Sequence, residues 1–225
     1  MNQKQVRLIY PTIVLSLLIA FILPACGTSP FKTTESFINQ YGFINISRAS
    51  FTLCYGYGCV EQADVSISDA EWQPVKDLFS PPPVDAAAER KCIAKAVQNL
   101  EIITGNKTGI DGDIGGTFRA LFRENQMDCE DEAVNTNIFL ILLEQDKLLK
   151  FNRTYGISRR GMLFSHWPHM ASSIIDTATK EIYVVDSWFF DHGMPVNIVP
   201  EKEWLAFWEP DEAEYDKYYN QPSKN

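Results

Sequence analysis

The longest unbroken apolar stretch past the N-terminal region is Ile138-Phe139-Leu140-Ile141-Leu142-Leu143, too uniform for one amphipathic face and therefore the pattern of a helix buried in the middle of a domain. It is preceded by Met127-Asp128-Cys129-Glu130-Asp131-Glu132-Ala133. An Asp followed three residues later by a second acid is a capping-box-like start, so the helix is expected to begin with Cys129 as its first residue and to run to about Lys150. Around it, Phe51-Thr52-Leu53-Cys54 and Ala63-Asp64-Val65-Ser66-Ile67 alternate as the arms of a hairpin. Ser68-Asp69-Ala70-Glu71 caps a short helix carrying Trp72, Val75, Leu78 and Phe79, which Pro81-Pro82-Pro83 ends. A second helix is expected from about Val84 to Thr104, with Ile93, Ala96, Val97, Leu100 and Ile103 on one face and Gly105 as its stop. Beyond the central helix, Arg159 to Phe164 reads as a strand. A second hairpin follows, with His169 entering its first strand, a polar turn at Thr177-Ala178-Thr179-Lys180, and Asp186 closing its second strand. Val196 to Val199 is a further strand, and Pro200 to Trp208 a short helix. This order implies an α+β fold, a central buried helix packed on an antiparallel sheet.

Composition adds an address. Lys4 and Arg7 precede an apolar run from Leu8 to Leu23 that ends in Leu23-Pro24-Ala25-Cys26, a secretory signal layout. That tetrapeptide resembles the bacterial lipobox, which implies cleavage before Cys26 and diacylation of its sulfur. With Gly27 next, resemblance to lipoproteins of double-membrane bacteria implies the outer membrane, facing the periplasm, so the membrane is a partner through the anchor. The expected layout is a signal peptide over 1–25, anchor and tether over 26–50, one domain over 51–208 and an acidic tail over 209–225. The formal charge is −9, and processing makes it more negative, because residues 1–25 contain Lys4 and Arg7 and no acid. Such a balance argues against nucleic acid as a partner, since phosphate binding needs clustered Lys and Arg.

The chemistry centres on Cys129. A thiol at a helix N-terminus sits beside free N–H groups and the positive end of the dipole, which stabilise a thiolate or an adjacent oxyanion. The β-hairpin brings an imidazole, His169, next to a carboxylate, Asp186, by turn geometry. Cysteine, histidine and acid in that order suit a nucleophile, its general base and the group that orients the base. His166 is the rival base; it overshoots the hairpin, and Pro168 separates it from the strand. The Cys129 N–H, with a side-chain amide from Gln126 or Asn125, is the candidate oxyanion hole. Asp128, Glu130, Asp131 and Glu132 oppose a thiolate, so they are expected either to face solvent or to be neutralised by a cation. The Gly- and Asp-rich segment from Asn106 to Gly116 has neither dinucleotide spacing nor the Glu of a calcium EF-loop, and reads as a shaped loop near the cysteine. In an oxidising compartment Cys54 and Cys59 can close a small disulfide loop, with Cys59–Cys92 as the alternative.

These motifs, Asp128-Cys129-Glu130-Asp131 with Ala133, His169, and Val184-Val185-Asp186, resemble the bacterial transglutaminase-like cysteine peptidases of the papain-like superfamily. The resemblance covers about residues 117–190 and departs from the family pattern at Met127, where a Gly is usual. It implies a papain/transglutaminase-like fold with Cys129 as nucleophile, His169 as base and Asp186 as orienting acid. It also implies calcium as an optional ligand of Asp128 and Glu130, no cofactor being required for the chemistry. The expected function is a lipid-anchored thiol hydrolase, a cysteine peptidase or amidase acting on a peptide or protein through an acyl-enzyme. Amide transfer or deamidation by the same triad, and a non-catalytic binding lipoprotein on the same fold, are the alternatives. For the anchor, Cys26→Ser is expected to abolish incorporation of labelled palmitate and leave an unprocessed or soluble product; unchanged labelling removes the lipoprotein assignment.

Overall fold

Alternating apolar positions build the first element, an antiparallel pair of β1 (Phe51–Tyr55) and β2 (Glu61–Val65) in register from Phe51↔Val65 to Tyr55↔Glu61. The computed structural model describes residues 40–43, 46–117, 123–162, 166–211 and 213–215, all within the unit Phe31–Asn225. The expected signal peptide, Cys26, most of the tether and much of the tail lie outside the described residues. No helix among the described residues is long and apolar enough to cross a membrane.

The capping box at Ser68 starts α1 (Asp69–Asp77), with Ser68 and Glu71 bonding reciprocally as the sequence pattern requires. Its buried Trp72 donates from the indole to Asp146 at 2.6 Å. Next, α2 (Ala86–Thr108) starts at the Asp85 cap and ends not at Gly105 but at Gly109, which adopts the left-handed conformation at φ 78°. Gly105 is a buried interior position instead: a Cβ there would lie 2.8 Å from His192 Nε2 and 3.1 Å from the Asp111 backbone, so close packing rather than helix termination requires the glycine.

The central helix α3 (Cys129–Gln145) is buried at every position from Asp131 to Leu143. Burying Ile138, Phe139, Leu140 and Leu142 contributes about 1.5–3 kcal/mol each. It stops four to five residues short of the expected Lys150, because Asp146 caps it and is itself held by Trp72. The four-stranded sheet runs β3 (Asn152–Met162), β4 (His166–Asp176), β5 (Ile182–Asp186), β6 (Asn197–Pro200), in that spatial order and antiparallel throughout. The expected strand at Arg159 to Phe164 thus begins seven residues earlier, and residues 163–165 lie outside the described part. Its entry is fixed from afar: the buried Glu89 carboxylate accepts the backbone N–H groups of Lys150, Phe151 and Asn152. Register shifts beside Gly156 and Gly161, both at positive φ, break the alternation that a local reading depends on. A short α4 (Glu201–Leu205) follows Pro200 and ends before the expected Trp208, where Phe207 turns the chain at φ 63°.

The architecture is therefore α+β, with an antiparallel sheet and one hydrophobic core shared by α3, the β1–β2 hairpin and the sheet. Polar residues inside α3 set its register on the sheet: Asn137 donates to Gly156 O at 2.9 Å and to Ser172 Oγ at 3.0 Å. The Gly-rich loop after α2 lies along the segment that follows Asp186, where Gly116 N–H donates to Trp188 O and Gly115 N–H to Asp191. A Cβ on Gly115 would meet Phe190 O at 2.6 Å and Phe189 O at 2.7 Å, both backbone atoms that cannot yield cheaply. Gly115→Ala is accordingly expected to lower stability by about 1–3 kcal/mol and to displace residues 188–190, read as a lower unfolding midpoint in denaturant; an unchanged midpoint contradicts the close packing.

Candidate active site

The first turn of α3 is assembled by reciprocal caps. Asp128 Oδ1 accepts from the backbone of Glu130 and Asp131 at 3.0 Å each, and Asp131 Oδ2 accepts from Asp128 N–H at 3.2 Å. Cys129 is thereby the first helical residue, and it is a free thiol. The Met170 N–H of β4 faces the sulfur and favours its ionised form. Burial outweighs that donor, with Asp128, Asp186 and Glu130 adding to it, so the thiol titration is pushed up to about 12. At neutral pH Cys129 is protonated.

The hairpin provides the candidate base. β4 and β5 pair from Ile175↔Ile182 to Ser172↔Val185, so Asp186 falls level with Ala171, and His169 lies two residues beyond Ala171 on the same face. His169 Nε2 and Asp186 Oδ2 are 2.8 Å apart, both side chains being almost fully buried. The other imidazole nitrogen, Nδ1, is buried without a hydrogen-bond partner. Cys129, His169 and Asp128 line one cavity of about 530 Å3, whose other walls include Thr117, Trp167, Trp188 and Phe207. The structure therefore brings Cys129, His169 and Asp186 into one site. His166 opens β4 opposite Met162, and its side chain lies outside the described part.

The chain matches no protein-family model, no curated protein and no solved structure.

Two expected site residues stand elsewhere. Gln126 is buried with its amide committed to the loop after α2: Nε2 donates to Gly112 O at 3.1 Å and Glu124 O at 3.5 Å, and Oε1 accepts from Ile114 N–H. Asn125 is exposed, at φ 54°, and donates to Gly109 O at 3.2 Å. Both side-chain amides are thus engaged with backbone carbonyls at the end of α2 and in the loop that follows, and neither residue is among those that line the cavity with Cys129. Asp128 and Glu130 each have one oxygen engaged, by the capping amides and by the Tyr41 hydroxyl at 2.6 Å. Among the described residues no group of three or more His, Cys, Asp or Glu is placed to hold a metal.

An aromatic enclosure, not expected from the sequence, surrounds the imidazole. The His169 ring lies 4.5 Å from Trp188, 5.4 Å from Trp204 and 5.6 Å from Phe189 between centroids. The run Trp188-Phe189-Phe190 directly after Asp186 was the available signal for it, and Trp204 had none.

The carboxylates of the first turn do not all face solvent. Asp131 and Glu132 are buried, together with Asp113 and Glu101 from outside the helix. Ser187, next to Asp186, donates to Glu132 Oε2 at 2.7 Å, and Met127 N–H donates to Asp113 at 2.6 Å. Burial pushes Glu101 up to about 8 and Asp113 and Asp131 up to about 7, and raises Glu132 well above the carboxylate range. Unfolded, these acids titrate near pH 4. Between about pH 4 and 8 the folded chain thus holds protons that the unfolded chain has released. The stability these groups contribute is full below about pH 4 and is lost as the pH rises through 7–8. Denaturant unfolding is expected to show lower stability at pH 8.5 than at pH 5.5, and Glu132→Gln to recover part of the difference; a variant that is no more stable than wild type at pH 8.5 rules this electrostatic origin out.

Proposed function

We propose that the protein is a thiol hydrolase of peptide or amide bonds, of the transglutaminase-like kind that its motifs resemble, held in the bacterial envelope by a lipid on Cys26. The observation that carries this reading is the imidazole of His169, which lines the same cavity as Cys129: one nitrogen faces Asp186, and the other is buried without a hydrogen-bond partner. With Asp186 accepting the Nε2 proton, Nδ1 keeps its lone pair and takes the thiol proton as Sγ attacks the substrate carbonyl. The oxyanion develops beside the Cys129 N–H at the positive end of α3. Collapse of the tetrahedral adduct breaks the C–N bond, and the amine leaves with the proton from His169. Water then attacks the thioester, passing a proton to His169, and releases the acid and the thiol. An amine in place of water gives transfer, and attack on a side-chain primary amide gives deamidation. The aromatic walls formed by Trp167, Trp188 and Phe207 suit an apolar side chain next to the scissile amide. No step uses a metal.

Because burial holds the Cys129 thiol protonated, its reactivity reports the base. Burial raises Cys92 as well, and that thiol serves as an internal control. Alkylation by iodoacetamide near neutral pH, followed by peptide mass spectrometry, is expected to label Cys129 at least about tenfold faster than Cys92. His169→Ala should remove the difference. Asp186→Asn should keep the fold and lower the rate by no more than the roughly 10⁴-fold of the serine-protease precedent. Equally slow labelling of both cysteines in the wild-type chain favours a binding lipoprotein instead.

A further inference from the structure

Asp186 serves two donors with one oxygen. Its Oδ2 lies 2.8 Å from His169 Nε2 and accepts from the Trp204 indole N–H at 2.7 Å, while Oδ1 accepts from Trp188 N–H at a longer 3.3 Å. Trp204 is fully buried within α4, 18 residues from Asp186. It is held there by Arg160, whose Nη1 donates to Trp204 O at 2.6 Å and to Trp208 O at 2.7 Å, and whose guanidinium lies 4.5 Å from the indole centre. A buried indole N–H needs an acceptor. A main-chain carbonyl would satisfy it equally well, yet the acceptor here is the carboxylate that orients the imidazole.

We propose that Trp204 is a positioning residue of the thiol hydrolase, its indole N–H pinning Asp186 Oδ2 so that the carboxylate holds His169 with Nδ1 turned toward Cys129. The role rests on the function proposed above. Two donors on Oδ2 fix the rotation of a carboxylate that is almost wholly out of water, and the indole ring closes one side of the imidazole at 5.4 Å. The N–H also moderates the carboxylate's pull. Without it, a buried anion missing a donor draws more strongly on the remaining one, favouring imidazolium and removing the neutral base that the thiol requires. The charged and titratable groups that interact with Asp186 are Arg160 from β3, His169 from β4 and Cys129 at the start of α3; Asp128, the cap of α3, and Glu209, beyond α4, act in turn on Cys129 and Arg160. Replacing the indole leaves every one of them in the sequence.

The test uses the full chain and follows iodoacetamide labelling of Cys129 against pH, with Cys92 as control. Trp204→Phe keeps a ring and deletes the N–H; substitution by benzothienylalanine, sulfur for N–H, keeps the shape of the indole where Phe packs poorly. Either change is expected to move the midpoint of the pH–rate profile up by about one pH unit and to lower the plateau roughly tenfold. In an Asp186→Asn background the same change is expected to add no further shift. A rate that falls equally at all pH values with an unmoved midpoint, or an undiminished shift in the Asn background, overturns the positioning role and leaves Trp204 as packing. A wild-type chain in which Cys129 reacts no faster than Cys92 overturns the hydrolase assignment itself, and the positioning role with it.

Discussion

One buried carboxylate, that of Asp131, fastens the site to the rest of the molecule. It accepts from Asp128 N–H across the capping box, from Tyr57 N–H at 2.8 Å and from Cys59 N–H at 2.7 Å. The last two donors belong to the loop closed by the Cys54–Cys59 disulfide, in which Tyr57 and Cys59 adopt φ of 69° and 59°. Backbone in that region turns consecutive N–H groups inward, making a nest for an anion. Further bonds act in parallel: Gly56 N–H donates to Gln126 O, and the Asn135 side chain bonds both the N–H and the O of Cys54. Cys129 is consequently placed by contacts to a hairpin more than seventy residues upstream as much as by its own cap.

What could be read from the sequence was what local chemistry determines. The Asp128–Asp131 cap, the Ser68 capping box and the hairpin that sets His169 beside Asp186 depend on neighbours a few residues away or on one turn, and all three stand in the structure. The Cys54–Cys59 loop forms, leaving Cys92 free. The misplaced elements answer to distant partners. Glu89 on α2 fixes the start of β3, His192 explains the buried glycine inside α2, and Trp72 on α1 holds the residue that stops α3. Gln126 invites assignment to the oxyanion because an amide stands three residues before a cysteine, yet its partners lie in the Gly112 to Ile114 loop, which no local pattern reveals. Trp204 reaches Asp186 only through the pairing of β6 beside β5, and the enclosure of the imidazole is invisible before that pairing is known.

The acids around Cys129 then pose an electrostatic question that the fold answers by burial. Four buried carboxyl groups, Glu101, Asp113, Asp131 and Glu132, gather around the start of α3, and desolvation, more than any pairwise repulsion, raises the titration of each. Protonated, they carry no charge to oppose a developing thiolate. Asp131 has the best claim to ionise among them, since three backbone N–H groups lower its titration against the effect of burial. The disulfide loop matters here as well, because a nest held by a covalent ring loses less conformational entropy on meeting its anion than an open loop would.

The same accounting of donors bears on where an oxyanion would settle. A helix start offers several unpaired amides, and in α3 the carboxylates of Asp128 and Asp131 take those of Asp128, Glu130 and Asp131. Glu132 N–H turns inward to Asp128 O as the first helical bond. Among the described residues no hydrogen bond takes the Cys129 N–H, which is left at the positive end of the dipole on the residue that carries the thiol. A cap that satisfied every amide would have stabilised the helix further and removed the donor nearest the sulfur. On the proposed mechanism that single unclaimed N–H meets the oxyanion, so the capping acids do more than start a helix: by occupying the amides on either side, they leave one position for negative charge, and it is the one next to Sγ.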